Sequence, residues 1–208
     1  MSGADGTQPG HPYPRVGAPS ATEPTGGTVE GVTEDLTGLA LAARDGDEEA
    51  LTVLIRHTQA DVWRLCAHLA GRHRADDLTQ ETFIRAWRAL PRYEARASVR
   101  TWLLAIAHNT AVDALRAARR RPETTAWPED GAGLDVAPVA DPAGVVTAEQ
   151  LLAGLDPDRR LALFLTQLLG LSYAQAADIC SVPVGTIRSR VSRGRQDLAQ
   201  RLDIEATS

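Results

Sequence analysis

Two groups of side chains in this 208-residue chain are spaced for recognition. Near the C-terminus stand Arg188, Ser189, Ser192, Arg193 and Gln196. On a helix turning 100° per residue these five fall within about 140° of one another. Ile187, Val191 and Leu198 fall on the other side. One side can then pack while the other offers hydrogen-bonding groups to base edges in a major groove, where arginine forks onto guanine. Arg190 and Arg195 flank that face and suit phosphates. The second group is Asp77, Gln80 and Glu81, at i, i+3 and i+4 and so on one helical stripe. Leu78 and Phe83 lie off the stripe, and Ile84 and Trp87 run along its edge. Such a stripe offers acceptors to basic and polar groups of a partner. The bland alternative is a solvated face with an internal Glu81–Arg85 pair.

Other chemistries find little support. His73, Asp76, Asp77 and Glu81 could be imagined as metal ligands, but no second cluster completes a site. There is no Gly-rich phosphate loop and no nucleophile beside a base, so no enzyme, cofactor or metal is expected. Cys66 and Cys180 form no CxxC motif. Cys66 belongs to the stripe Val62, Leu65, Cys66, Leu69, and both cysteines read as small core residues. The net charge is -5, and every basic residue is arginine. That acidity excludes coating nucleic acid by bulk charge, so DNA contact must come from local patches. No signal peptide is expected at the N-terminus. The most apolar run, Leu161 to Leu171, is too short for a bilayer and contains Gln167. A cytoplasmic protein without membrane insertion is expected.

The elements that must position these residues are helices. Residues 1–32 are rich in Gly, Pro, Ser and Thr and predict a disordered tail. Residues 33–121 predict a first helical domain. Leu36, Leu39, Ala40 and Ala43 start one amphipathic segment, and Asp47 begins another that runs through Leu51, Leu54 and Ile55 to Leu69. A third helix follows Asp76 and stops at Pro91. The loop Arg92 to Ser98 leads into a long helix with Trp102, Leu103, Ile106, Val112 and Leu115 to pack. It ends in Arg116, Arg119, Arg120 and Arg121, more cations than a helix dipole needs, which points to phosphate. Residues 122–146 hold Pro, Gly, Ala and acids without a base and predict a flexible acidic linker. Residues 147–203 predict a second domain. Asp156-Pro157 starts a helix with the apolar face Leu161, Phe164, Leu165, Leu168 and Leu169, closed by Gly170. Ser172 to Gln175 matches a capping box. That short helix ends near Cys180, a turn at Ser181-Val182 follows, and Pro183 opens a last helix through Leu202. The fold class is all-α, two small helical domains, the second a helix-turn-helix over 172–191 with Ala177, Ile187 and Val191 at its core.

DDLTQETFIRAW, SVRTWLLAIAHNTAVDALRAARRR and LSYAQAADICSVPVGTIRSRVSRGRQDL occur here in that order. Together they resemble an extracytoplasmic-function (ECF) RNA polymerase sigma factor of actinobacterial type, over about Leu36 to Leu202. The first stretch resembles region 2.2, which meets the β′ clamp of core polymerase; Asp77, Gln80, Glu81 and Ile84 inherit that role. The second resembles regions 2.3 and 2.4, which open and read the -10 element. This implies -10 DNA contact by Tyr93, Arg96, Ser98, Arg100, Trp102, Asn109, Arg116, Arg119 and Arg120, with a base flipped into a pocket at the 93–98 loop. The third resembles region 4.2, which reads the -35 element. It implies contact by Thr186, Arg188, Ser189, Arg190, Ser192, Arg193 and Gln196. The implied partners are core RNA polymerase through its β′ clamp and β subunits, promoter DNA, and an anti-sigma factor as a candidate regulator. The resemblance also implies a linker that threads the polymerase cleft. Two residues depart from the pattern. Ser181 stands where the family often has Gly, and His108 where it often has Arg. A helix-turn-helix regulator acting without polymerase is the rival reading.

Overall fold

The computed structural model describes residues 30–120 and 154–205. Of the tail expected over residues 1–32, residues 1–29 lie outside these described residues, as does the linker expected over 122–146. Every described element is helical: α1 (Glu30–Arg44), α2 (Glu48–Ala70), α3 (Arg72–Ala89), a 3-10 turn (Leu90–Arg92), α4 (Val99–Arg120), α5 (Pro157–Leu163), α6 (Tyr173–Cys180) and α7 (Val184–Glu205). A π-helical stretch, Phe164–Leu168, continues α5.

In the first unit α2, α3 and α4 pack on one another and α1 lies against α2 and α4. Asp47 caps α2, its carboxylate accepting from the Glu49 and Ala50 amides at 2.9 Å each. A cap of this kind stabilises by about 1 kcal/mol. Val62, Leu65, Cys66 and Leu104 are fully buried, each large apolar side chain contributing about 1.5–3 kcal/mol. Burial pushes the Cys66 thiol above its usual range, so it is an inert core residue.

The third helix starts earlier than its sequence suggests. Gly71, at φ +82°, breaks the chain between α2 and α3, and α3 begins at Arg72. Asp76 is not its cap. It accepts instead from the Trp63 indole N–H at 2.8 Å, tying α3 to α2. Helix α1 likewise begins at Glu30, ahead of the expected residue 33.

The second unit follows its sequence signals closely. Asp156 caps α5 and Pro157 takes its first position. Ser172 and Gln175 form both halves of a capping box on α6. Ile179, Ile187 and Val191 are fully buried, and the Arg159–Asp197 pair at 2.6 Å ties α5 to α7. Two details differ. The Leu169 amide reaches the Phe164 carbonyl at 3.0 Å, the i→i+5 bond of a π turn. This extra residue rotates the phase, so Leu168, expected on the apolar face, is 49% exposed while Leu169 is buried. The last helix runs on to Glu205 rather than ending at Leu202.

Candidate protein-binding and DNA-binding surfaces

Helix α3 carries the acidic stripe on its open side. Leu78, Thr82 and Ala86 face the core. Asp77 and Gln80 are exposed and Glu81 is half-buried. Ile84 is 46% exposed and Trp87 52%, beside an apolar groove of about 410 Å³ between α2, α3 and α4. Leu54, Ile55, Phe83 and Leu103 line its depth. The internal pair exists: Arg85 Nε donates to Glu81 at 2.8 Å and its Nη1 to Asp113 of α4 at 3.0 Å. One carboxylate of the stripe is therefore committed to holding α3 against α4, and Asp77 and Gln80 remain at the surface as the more available pair.

The -10 candidates divide by environment. Tyr93 is 4% exposed, its hydroxyl donating to the Ala97 carbonyl at 2.8 Å, and its ring leans on Trp102 with centroids 5.0 Å apart. It clasps the 93–98 loop from inside instead of presenting a surface to a base. Ser98 caps α4, its hydroxyl within 2.9 Å of the Thr101 hydroxyl and accepting from the Thr101 amide. Arg96 is exposed beside Glu94, at 2.5 Å. Arg100 is tied inward, its Nε on Asp61 at 2.7 Å and its Nη2 on the Leu169 carbonyl at 2.8 Å. Trp102 and Asn109 are half-buried, while Arg116, Arg119 and Arg120 are exposed along the end of α4. His108 is half-buried with Nδ1 unpartnered, and burial holds its pKa below the usual histidine value.

In α7 the expected face stands open. Arg188, Ser189, Ser192, Arg193 and Gln196 are exposed, Thr186 is half-buried, and Ile187 and Val191 are sealed beneath. Arg190 departs from its expected role. It is half-buried and its guanidinium pairs with Asp158 of α5, so it braces the helix rather than standing free. Arg195 donates to Gln167 at 3.0 Å. The turn before the recognition helix holds Ser181 at φ 54°, ψ 44°, the left-handed conformation that glycine adopts without strain. Cys180, beside that turn, is half-buried, and burial pushes its thiol up to about 11.

The two helical units that carry these faces fall within two matched stretches of one known family. Residues 54–121 match Sigma-70 region 2, and residues 146–198 match Sigma-70 region 4. The chain is 52% identical over 174 residues to the ECF RNA polymerase sigma factor SigC of Mycobacterium tuberculosis, covering 79% of this chain and 90% of that one. It belongs to the ECF sigma factors. These are transcription initiation factors that bind core RNA polymerase and direct it to promoters. The ECF sigma-E factor of Escherichia coli is 34% identical over 181 residues, covering 79% of this chain and 94% of that one. Two solved structures share the fold. CnrH, in complex with the cytosolic domain of CnrY, has a TM-score of 0.61 at 23% identity, covering 82% of this chain and 98% of that one. The Bartonella quintana sigma factor RpoE, in complex with the anti-sigma factor NepR, has a TM-score of 0.57 at 24% identity, covering 74% and 97%. Among the described residues no helix is long and apolar enough to cross a membrane.

Proposed function

We propose that this sigma factor meets the polymerase clamp through α3 and reads promoter DNA through α4 and α7. The observation that carries the reading is the exposure of both recognition faces over sealed cores: Asp77, Gln80 and Ile84 above Leu78 and Thr82, and Arg188, Ser192 and Arg193 above Ile187 and Val191. Asp77 and Gln80 make the polar contacts to the clamp, and Ile84 and Trp87 supply apolar area. Glu81 acts through Arg85, fixing the angle between α3 and α4. In the -35 element, Arg188 and Arg193 fork onto guanines while Ser189, Ser192 and Gln196 take neighbouring edges and phosphates.

At the -10 element, Arg116, Arg119 and Arg120 grip the backbone, and their salt-dependent contacts hold the duplex while it melts. Trp102 and Asn109 with the exposed Arg96 form the wall against which an unpaired base stacks, offsetting a few kcal/mol of lost stacking. Tyr93 and Ser98 shape that wall from behind. The first module spans 33–121 and the second 147–203, with 122–146 the tether between them. The protein works in the cytoplasm, catalyses no reaction itself, and takes no cofactor. An anti-sigma protein is a natural regulator of it.

Run-off transcription decides the reading. Purified chain plus core polymerase yields discrete start sites on a genomic template library, and core alone does not. If the chain instead shifts promoter DNA tightly without core and leaves initiation unchanged, it is a stand-alone helix-turn-helix regulator and this assignment is wrong.

A further inference from the structure

We propose that the apolar groove between α2, α3 and α4 is filled in the free chain by the chain's own proline-rich segment, residues 9–16, which must leave before the polymerase clamp can seat on Ile84 and Trp87. The docking stands on the groove and on the sequence of the segment. Its competition with the clamp rests on the assignment of Ile84 and Trp87 to clamp contact. Three aromatic rings set the character of the groove: Phe83 and Trp102 are half-buried in its wall, and Trp87 is 52% exposed. Leu51 and Ile55 line the α2 side. Exposed apolar side chains beside a concave apolar wall mark a surface made to be covered.

Residues 9–16 read PGHPYPRV. Proline fixes φ, and closely spaced prolines favour the polyproline II helix, with three residues per turn. Pro9, Pro12 and Arg15 then recur along one edge. Segments of this kind dock in aromatic-lined grooves, because their backbone is already extended and loses little entropy on binding. The charge of the groove fits as well. Glu48 is exposed and shares the α2 stripe of Leu51 and Ile55, at i, i+3 and i+7, where it can take Arg15. The segment is also close at hand. Thr37, half-way along α1, accepts from the Val99 amide at 3.5 Å, one turn ahead of Trp102. Glu30 lies about 10 Å further back along α1. Residues 17–30 join it to the segment, and a coil of that length spans about 20 Å on average. Such a tether sets an effective concentration of about 1 mM, so a contact with a Kd of about 0.1–1 mM is formed in about half to nine-tenths of the chains. Affinity for the clamp then falls about two- to tenfold.

The test uses the full chain labelled with fluorotryptophan, whose fluorine signals come from Trp63, Trp87, Trp102 and Trp127. Trp87→Phe identifies the signal of Trp87. The variant to compare carries Pro12→Ala, Tyr13→Ala and Pro14→Ala together, all three outside both helical units. The expected result is a shift of the Trp87 and Trp102 signals, with Trp63 and Trp127 unmoved. A synthetic peptide of residues 7–18, added at about 1 mM, should reverse the shift, and a scrambled peptide should not. Core polymerase should bind the variant about two- to tenfold more tightly than wild type. Trp87 and Trp102 signals identical in the two proteins overturn the docking. Signals that move on dilution of both proteins alike give the groove to a second copy of the chain and overturn it too. A shift with unchanged core affinity overturns the competition. Should neither protein bind core, the clamp assignment fails by itself, while the fluorine signals still decide the docking.

Discussion

At the scale of the residue, two neighbouring arginines of α7 do different work. Arg188 is exposed with the face it belongs to, whereas Arg190 is drawn down onto Asp158. Arg188→Ala should cost about 1–3 kcal/mol at one -35 base pair and flatten discrimination there. Anisotropy against a panel of single-base operator variants checks this; undiminished discrimination contradicts the assignment. Arg190→Ala should weaken binding to all -35 sequences alike and lower the melting temperature of the second unit, because it removes a brace and not a base contact. The sequence shows the difference only partly. A helical wheel finds Arg188 by period alone, since Ile187 and Val191 fix which side is buried. It cannot find Asp158, which stands on another helix and meets Arg190 only through the fold. Tyr93 misleads for the same reason: an aromatic in a basic loop suggests stacking on a base, yet its hydroxyl finds the Ala97 carbonyl and its ring goes inward.

At the scale of the element, the helix ends were legible wherever a cap is chemical. Asp156 and the Ser172–Gln175 box announce their helices because the side chain itself supplies the missing acceptor, and Asp47, read only as the start of α2, proves to cap it in the same way. The start of α3 was not, because Gly71 ends one helix and begins the next by backbone conformation, without a side-chain bond. The π stretch was equally hidden, since an inserted residue leaves no mark on composition. Two predictions belong here. Asp77→Ala with Gln80→Ala should weaken core polymerase binding about tenfold or more while -35 binding is unchanged, because α3 and α7 lie in separate units. Equal core affinity by a pull-down titration contradicts it. At the turn, Ser181 sits in left-handed backbone that costs a side-chain-bearing residue about 1 kcal/mol. Ser181→Gly should be neutral or stabilising by a fraction of that, as glycine's greater unfolded freedom offsets part of the relief. A β-branched Ser181→Val should destabilise by more than 1 kcal/mol. Thermal melts of the two variants side by side give the sign.

At the scale of the whole molecule, the joining of the two units was not written in any motif. Phe164 reads as one more position of an apolar helix face, and nothing in its spacing says that it meets His68 of the other unit. The seam nevertheless leaves a chemical trace. Burial, with Arg160 close by, pushes the His68 imidazole down from about 6.5 to about 3. His108, on the α4 side, is also lowered, chiefly by burial. A histidine held neutral in the folded chain and free to ionise in the unfolded one binds fewer protons when folded. Its contribution to stability is then fully present above pH 6.5 and is lost as the pH falls from 6.5 toward 3. The slope approaches about 1.4 kcal/mol per pH unit for one such group. The expected outcome is a melting temperature that falls between pH 7.5 and about pH 5.5 in the wild-type chain. In His68→Leu, which keeps an apolar group against Phe164 and cannot ionise, the fall should be markedly smaller, with His108 accounting for the remainder. A pH response identical in the two proteins would show that His68 is not the group that titrates.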